Sequence, residues 1–295
     1  EFEVVNTFFT SDNISYFKSI LSKSQIRKYK NCITKTIKKI FLGNQFEKDI
    51  YLSNQIDRKL NSIRNSKFDL LTKINLLIDL CKKNGTMPFS GVARCAFVST
   101  IVLHKLLELN IINQKDILNF YRNINLVTND IGFLAANAKK SRKERLKFIN
   151  SFGHLRPSTY DINSLNYGEN FKNYFLNFNI KKKFSNHNNF NLTQDKKNKI
   201  NNFLDKNNFN FDFNYFFNFA KKSIIYREQI KCDFSKIINE IFNFLIKFGK
   251  KIKISRKDLE NININDIQNN FINKTELIKR IKKEKLLRET NKLIK

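Results

Sequence analysis

The 295-residue chain carries 55 Lys+Arg against 26 Asp+Glu, a formal net charge of +29 that would suit a polyanionic partner. The excess is mostly Lys and travels with heavy use of Asn, Ile and Phe and with only 7 Gly and 2 Pro, the usage expected of AT-rich coding DNA, so charge discriminates weakly between functions. Hydrophobic residues at 41% and 30 Phe exclude a chain disordered by composition. The cysteines Cys32, Cys81, Cys95 and Cys232 lack CxxC or Cys/His ligand spacing, which points to reduced thiols and against a zinc site.

In chain order, "FEVV" (Phe2 to Val5) is the one stretch with strand character. Elsewhere the rarity of Pro and Gly lets apolar residues recur at helical spacing. The expected fold class is mainly α: a multi-helix, bundle-like domain with at most a short strand at the start. Ile14 to about Phe41 and Gln45 to about Ile63 read as an antiparallel pair of amphipathic helices. Phe68 to Lys83 follows, with Asn84-Gly85 expected to end it in the left-handed conformation that glycine adopts without a Cβ penalty. Pro88 is expected in the first turn of the next helix.

That helix, "FSGVARCAFVSTIVLHKLLEL", is the least charged in the chain. Its Gly91, Cys95 and Ser99 form a row of small residues at i, i+4 and i+8, which lets another backbone approach and places the helix at the centre of the fold. His104 has no companion at ligand spacing and reads as a packed or partly exposed histidine. Helices over 114–127, 128–139 and 142–151 follow. The Lys/Asn-rich interval 179–208 reads as a surface excursion with His187 in a solvated loop and one short helix, Thr193 to Leu204. From Asp212 a long helix runs to Phe248 and stops at Gly249, and Ser255 to Asp258 is a capping box opening another. No apolar run reaches the ~18 residues of a membrane span, and no basic-then-apolar leader opens the chain, so the expected location is cytoplasmic. Opening at "EFEVVNTFF" without Met and stopping at "TNKLIK" inside a helical pattern, the sequence reads as a fragment of a larger multidomain protein.

Two stretches break the local pattern. In "FGHLRPSTYD", Gly153 and Pro157 bracket His154 and Arg156, so the chain leaves a helix near Phe152 and turns. Such a loop can present an imidazole and a guanidinium fork to an anion, because Arg matches phosphate or carboxylate oxygens bidentately. Tyr160 follows, with Asp161 placed to orient His154 or Arg156. The same residues suit a helix-breaking turn whose Arg and Asp pair structurally. In "AKKSIIYREQIKCDFSKIINEIFNF", the apolar stripe Phe213, Phe217, Ala220, Ile224 is interrupted by Arg227 and Lys231 before it resumes at Phe234 and Ile238. Like charges four residues apart repel and a buried unpaired cation is costly. This favours a cleft that receives an anion, with Glu228 beside the pair; the alternative is that both side chains snorkel to water. No Gly-rich phosphate loop, paired-carboxylate motif, HExxH or GxSxG is present, so the chain carries no self-sufficient catalytic set and no ATP-site motif.

Four segments in order, "GTMPFSGVARCAFVSTIVLHKLL", "FGHLRPSTYDI", "AKKSIIYREQIKCDFSK" and "KISRKDLENININDI", resemble the central helical region of enzymes related to phosphoenolpyruvate synthase. These are the pyruvate, phosphate dikinase-like or PEP-utilising proteins; the rifampicin phosphotransferases are similar more distantly. The similarity spans roughly Gly85 to Ile267 and is weaker before it. It implies a domain lying between an ATP-grasp domain and a swivelling domain that carries phosphate on a histidine. On this resemblance residues 1–84 form an N-terminal helical hairpin region after the ATP-grasp domain. Residues 85–250 form the acceptor-binding core, with the polar excursion 179–208, and 251–295 lead to the swivelling domain.

The family's Gly-His-Arg-type loop is similar to Gly153, His154, Leu155 and Arg156 with one residue inserted, and its Arg-Glu-x-x-Lys turn is matched by Arg227, Glu228 and Lys231. The implied function is acceptor binding within an ATP-dependent dikinase-type phosphotransferase, the phosphate arriving from a phosphohistidine. Arg227, Lys231 and His154 take the catalytic places, and Arg156, Glu228, Tyr160, Asp161 and Arg94 the acceptor-binding ones. The implied partners are the ATP-grasp and phosphohistidine domains of the same polypeptide and a small-molecule acceptor, with no membrane. No cofactor is bound by this chain itself, ATP and Mg belonging to the full-length enzyme. The alternative is a basic helical module that binds nucleic acid or an acidic surface, with an affinity that falls steeply with salt. Cations spread along nearly every helix, with few aromatics interleaved, make nucleic acid the less favoured partner.

Overall fold

The computed structural model describes residues 20–175, 190–268 and 274–293. The strand expected at Phe2 to Val5, the helix start expected at Ile14, the loop of His187 and the first part of the excursion 179–208 lie outside them. Among the described residues all regular structure is helical, in agreement with the mainly α class.

Helix α1 (Lys23–Leu42) opens with a capping box formed by Ser22 and Gln25. The single helix expected from Gln45 to Ile63 is two, α2 (Gln45–Ser53) and α3 (Ile56–Asn65), parted by a turn that begins at Asn54, a weak helix former. Helix α4 (Leu70–Leu80) starts where the Asp69 side chain accepts from the Leu71 and Thr72 amides. It does not end at Asn84-Gly85. Residues Cys81–Thr86 form one π-helical turn, and the chain runs on as α5 (Met87–Glu108). Helices α6 (Gln114–Arg122), α7 (Val127–Asn137), α8 (Arg142–Phe152) and the short α9 (Phe171–Phe175) come next. Then follow α10 (Gln194–Lys206), the 40-residue α11 (Phe213–Ile252), α12 (Arg256–Leu259), α13 (Ile264–Gln268) and α14 (Lys274–Leu293). The capping box expected at Ser255 is seen in part: its side chain accepts from the Asp258 amide.

Gly85 and Gly249 do not terminate helices as expected. Among the described residues the left-handed positions are Asn110, Asn208 and Lys253, and no glycine is left-handed. Helix α11 passes through Gly249 and ends where Lys253 turns left-handed and the Ile254 amide bonds back to the Gly249 carbonyl at 2.8 Å. A Cβ on Gly249 would lie 2.9 Å from Leu259 Cδ1, so this glycine makes room for the chain that folds back.

Against the expectation of no membrane-length run, the continuous helix Leu70–Glu108 is long and apolar enough, by length and composition, to cross a membrane. Within the protein, 56% of its most apolar window is buried, and Val92, Val102, Leu103 and Leu106 along it are core residues.

The chain forms two compact units, each assembled from three separated segments. Unit 1 comprises Glu1–Tyr51, Met87–Asn129 and Lys183–Ile230. Here α1 packs on α5, and a phenylalanine cluster fills the core. The Phe41 ring meets those of Phe211 and Phe219 at 4.9 Å and that of Phe216 at 5.9 Å. Such tilted pairs add to the burial energy of each ring.

Unit 2 comprises Leu52–Thr86, Asp130–Lys182 and Lys231–Lys295. Fully buried Phe148 is enclosed by Phe152, Phe171 and Phe175 at 6.0, 5.4 and 5.1 Å. Buried Glu240 is held by two bonds from Arg64, at 3.0 and 3.3 Å. The π turn is tied down by buried Asn84, which donates to the Leu52 carbonyl at 2.7 Å and accepts from Lys59 Nζ at 3.2 Å. Next to it a Cβ on Gly85 would stand 2.7 Å from Phe234 Cβ. The glycine therefore serves close packing. Gly85→Ala is expected to cost about 1–3 kcal/mol, the usual penalty of overpacking, seen as a lowered urea midpoint.

Candidate functional site

In unit 1, the N-terminal half of α5 lies beside α2 and α1 around a cavity of about 960 Å³. Its walls are mainly apolar, with Ile33, Phe46, Val98 and Ile101 among them, and its polar groups include Gln45, Asp49 and Arg94. Asp49 is 5% exposed. Its Oδ1 accepts from Gln45 Nε2 at 2.8 Å. Burial raises its pKa, while the Gln45 bond and the Arg94 charge pull the other way. A Cβ on Gly91 would come 2.0 Å from Asp49 Oδ2. The small-residue row thus admits a carboxylate at Gly91, where a second backbone was expected. Burial, and secondarily the Asp49 charge, pushes the Cys95 thiol up to about 12, so it is inert at neutral pH. Asp49 escaped sequence reasoning. The signal was available, since Asp49 falls between Phe46 and Ile50 on an otherwise apolar helix face.

Arg227, on α11, is not in the lining of this cavity but packs against one of the lining residues. Its guanidinium carbon lies 5.4 Å from the ring centroid of Phe97, a lining residue, within cation–π range. Nη1 donates to Glu228 Oε1 in an ion pair. The Nε is buried and has no hydrogen-bond partner among the described residues, an arrangement rare enough to need a reason. Lys231, one turn further along, is exposed to solvent. The two cations that interrupt the stripe therefore differ: Arg227 packs and Lys231 snorkels.

The "FGHLRPSTYD" loop belongs to unit 2. Helix α8 ends at Phe152 with Gly153 as its cap, and the returning chain is tied back by Tyr167 N to Leu155 O at 2.7 Å and Gly168 N to Gly153 O at 2.9 Å. His154 Nε2 is 3.1 Å from the Cys232 carbonyl. A carbonyl only accepts, so Nε2 carries the proton in this pairing. Burial, partly offset by that bond, lowers the His154 pKa to about 4. Close by, Lys236 bridges Asp57 and Asp233, each at 3.0 Å.

Arg156 is 7% exposed. Nη1 donates to the carbonyls of Ser164 and Asp161 at 3.2 and 3.4 Å, Nη2 donates to Asn239 Oδ1 at 2.5 Å, and the guanidinium stacks 4.8 Å over Phe242. These bonds hold the loop to α11. Asp161 meets Arg156 through its backbone carbonyl, and its carboxylate accepts from the Asn163 amide at 2.8 Å. Tyr160 is 71% exposed. Both Tyr160 and Asp161 line a second, mostly apolar cavity of about 560 Å³ in unit 2. Of the expected site residues, Arg94 stands beside Asp49, Arg227 and Glu228 pair with each other, and His154 and Arg156 sit in structural contacts along α11. His104 is exposed. Among the described residues no group of three or more His, Cys, Asp or Glu is arranged to hold a metal ion. No protein-family profile, curated protein or solved structure matches the chain.

Proposed function

We propose that this chain is the acceptor-binding region of an ATP-dependent, dikinase-type phosphotransferase, and that the unit 1 cavity holds the acceptor. The observation that carries the reading is Arg227. Its guanidinium stands against Phe97, a lining residue of the cavity, with a buried, unpartnered Nε. It also lies in the Arg-Glu-x-x-Lys turn that resembles the phosphoryl-transfer turn of PEP-utilising enzymes. A fixed guanidinium suits this chemistry, since phosphoryl transfer depends on positioning and on neutralising charge spread over the phosphoryl oxygens. Glu228 keeps the guanidinium in place until an anion arrives, and Lys39 and Arg94 are the positive groups of the lining. On this reading ATP and Mg act on other domains of the same polypeptide, and the phosphate reaches the cavity from a phosphohistidine.

The test is ATP-dependent phosphoryl transfer by the longer polypeptide, followed by ³¹P NMR in the presence of a small-molecule extract. Arg227→Ala is expected to lower the rate about a hundredfold, the scale of losing one charge-stabilising donor, and Arg227→Lys to restore only part of it because an ammonium lacks the fork. Transfer at the parental rate in Arg227→Ala, or no transfer by the parent, would sink the reading.

A further inference from the structure

We infer that unit 2 binds a phosphate monoester beside the first turn of α8, with Arg145 and Arg142 holding the phosphate and Leu146 and Ile149 flanking the organic group. The inference is independent of the reading of the unit 1 cavity.

Arg145 carries it. Its guanidinium carbon lies 5.3 Å from the ring centroid of Phe171, a buried member of the cluster around Phe148. Its Nε is buried and has no hydrogen-bond partner among the described residues. The guanidinium is therefore held against a ring and partly withdrawn from water, yet no carboxylate among the described residues pairs with it. A cation in that position normally has an anion or carbonyl opposite it, because removing charge from water without a partner is costly. Here the protein supplies none.

The surroundings indicate what the partner is. A cavity of about 470 Å³ is lined by Lys139, Ser141, Arg142, Arg145, Leu146 and Ile149, three cations and no acid. The acid of this turn, Glu144, is already engaged by Lys147 at 2.7 Å. Arg142, like Arg145, has no ion-pair partner among the described residues. Two cations three residues apart on a helix repel each other, so an anion that meets both relieves the repulsion. Ser141 Oγ accepts from the Glu144 amide at 3.2 Å, which leaves its O–H as a further donor.

Charge and shape then select the anion. A phosphate monoester carries about −1.5 to −2 at neutral pH, enough to answer two guanidinium groups, and its oxygens match the arginine fork. The cavity is larger than a bare ion needs, and Leu146, an exposed apolar side chain, stands in its wall with Ile149. An organic group on the phosphate gives those two side chains something to cover.

The test is calorimetric titration of the full chain at moderate salt with phenyl phosphate, inorganic phosphate and benzoate. Phenyl phosphate is expected to bind at one site per chain and more tightly than the other two. Arg145→Gln should weaken it about tenfold, the scale of hydrogen bonds to a charged group. Arg142→Gln, at an exposed and more screened position, should weaken it about threefold. Lys250→Gln, which removes the same charge from an exposed residue outside the lining, should leave it unchanged. Equal losses in all three variants would mean attraction to the general positive charge, and would overturn the site. Benzoate bound as tightly as phenyl phosphate overturns the choice of phosphate. Inorganic phosphate bound as tightly overturns the ester and leaves an adventitious ion only. Absence of binding by phenyl phosphate overturns the inference as a whole. Should Arg145→Gln fail to fold, Arg142→Gln and the ligand ratios in the parent chain decide the matter.

Discussion

Replacing Arg156 by alanine is expected to destabilise the protein by about 3–5 kcal/mol, measured as a fall in the urea unfolding midpoint. The side chain is 7% exposed and makes three hydrogen bonds, to the Asp161 and Ser164 carbonyls and to Asn239 Oδ1. Truncation leaves these acceptors short of a donor in a place water cannot easily reach, at about 1–3 kcal/mol for each that stays unpaired. It also opens a void over Phe242, on which the guanidinium stacks at 4.8 Å. Arg156→Lys keeps the charge but cannot reach both the loop carbonyls and Asn239, so it is expected to recover less than half of the loss. A change below about 0.5 kcal/mol, the range of ordinary surface substitutions, would show that Arg156 is not structural and would restore it as a ligand-binding group.

The second large effect concerns acid. Stability is expected to fall by about 2 kcal/mol between pH 7 and pH 5 through His154 alone, and by about 3 kcal/mol below pH 4. In the native state His154 is held neutral, with its pKa lowered from 6.5 to about 4, chiefly by burial. The unfolded chain takes up the proton once the pH drops below about 6.5, while the native chain resists until about 4. The stabilisation is therefore present above pH 6.5 and disappears as the pH falls towards 4. The surroundings resist a second positive charge as well, because Lys236 stands nearby; burial opposes its ionisation, but Asp233 and Asp57 outweigh that and raise its pKa. His154→Gln provides the comparison, since its amide can donate to the Cys232 carbonyl and does not titrate. Urea unfolding of the two proteins at pH 7, 6 and 5 should show the steeper loss in the parent. Parallel slopes would mean that His154 is freely protonated in the folded state.

Much of the helical layout was legible because it rests on local properties. Asp69, Ser141 and Thr193 each stand immediately before an α-helix and accept from its first-turn amides, and the helices begin there. The turn after Phe152 was legible from local residues as well. Helix endings were less so. Gly85 and Gly249 look like terminators along the sequence, yet Phe234 and Leu259 crowd them from elsewhere in unit 2, and the left-handed positions went to Asn110, Asn208 and Lys253. Asn84-Gly85 read as a stop only because the π turn that absorbs it, and the packing that favours that turn, have no local signature.

The candidate site divides in the same way. Its residue types were visible as exceptions to a pattern: Arg227 and Lys231 in an apolar stripe, and His154 and Arg156 in a stretch rich in rare residues. Whether an exception is a ligand group or a strut depends on what stands opposite it, and that is set by residues far away in sequence. Asn239 and Phe242 make Arg156 a strut, the Cys232 carbonyl engages His154, Phe97 receives Arg227, and solvent receives Lys231. By itself the sequence determined that this chain is helical, because helix periodicity and the scarcity of breakers act within one turn of each residue. Only the tertiary structure decided which polar groups are satisfied and which remain open, because burial and hydrogen-bond partnership are set by chain segments that meet only on folding. For that reason Asp49, an unremarked residue of an amphipathic helix, became the buried acceptor in the wall of the cavity.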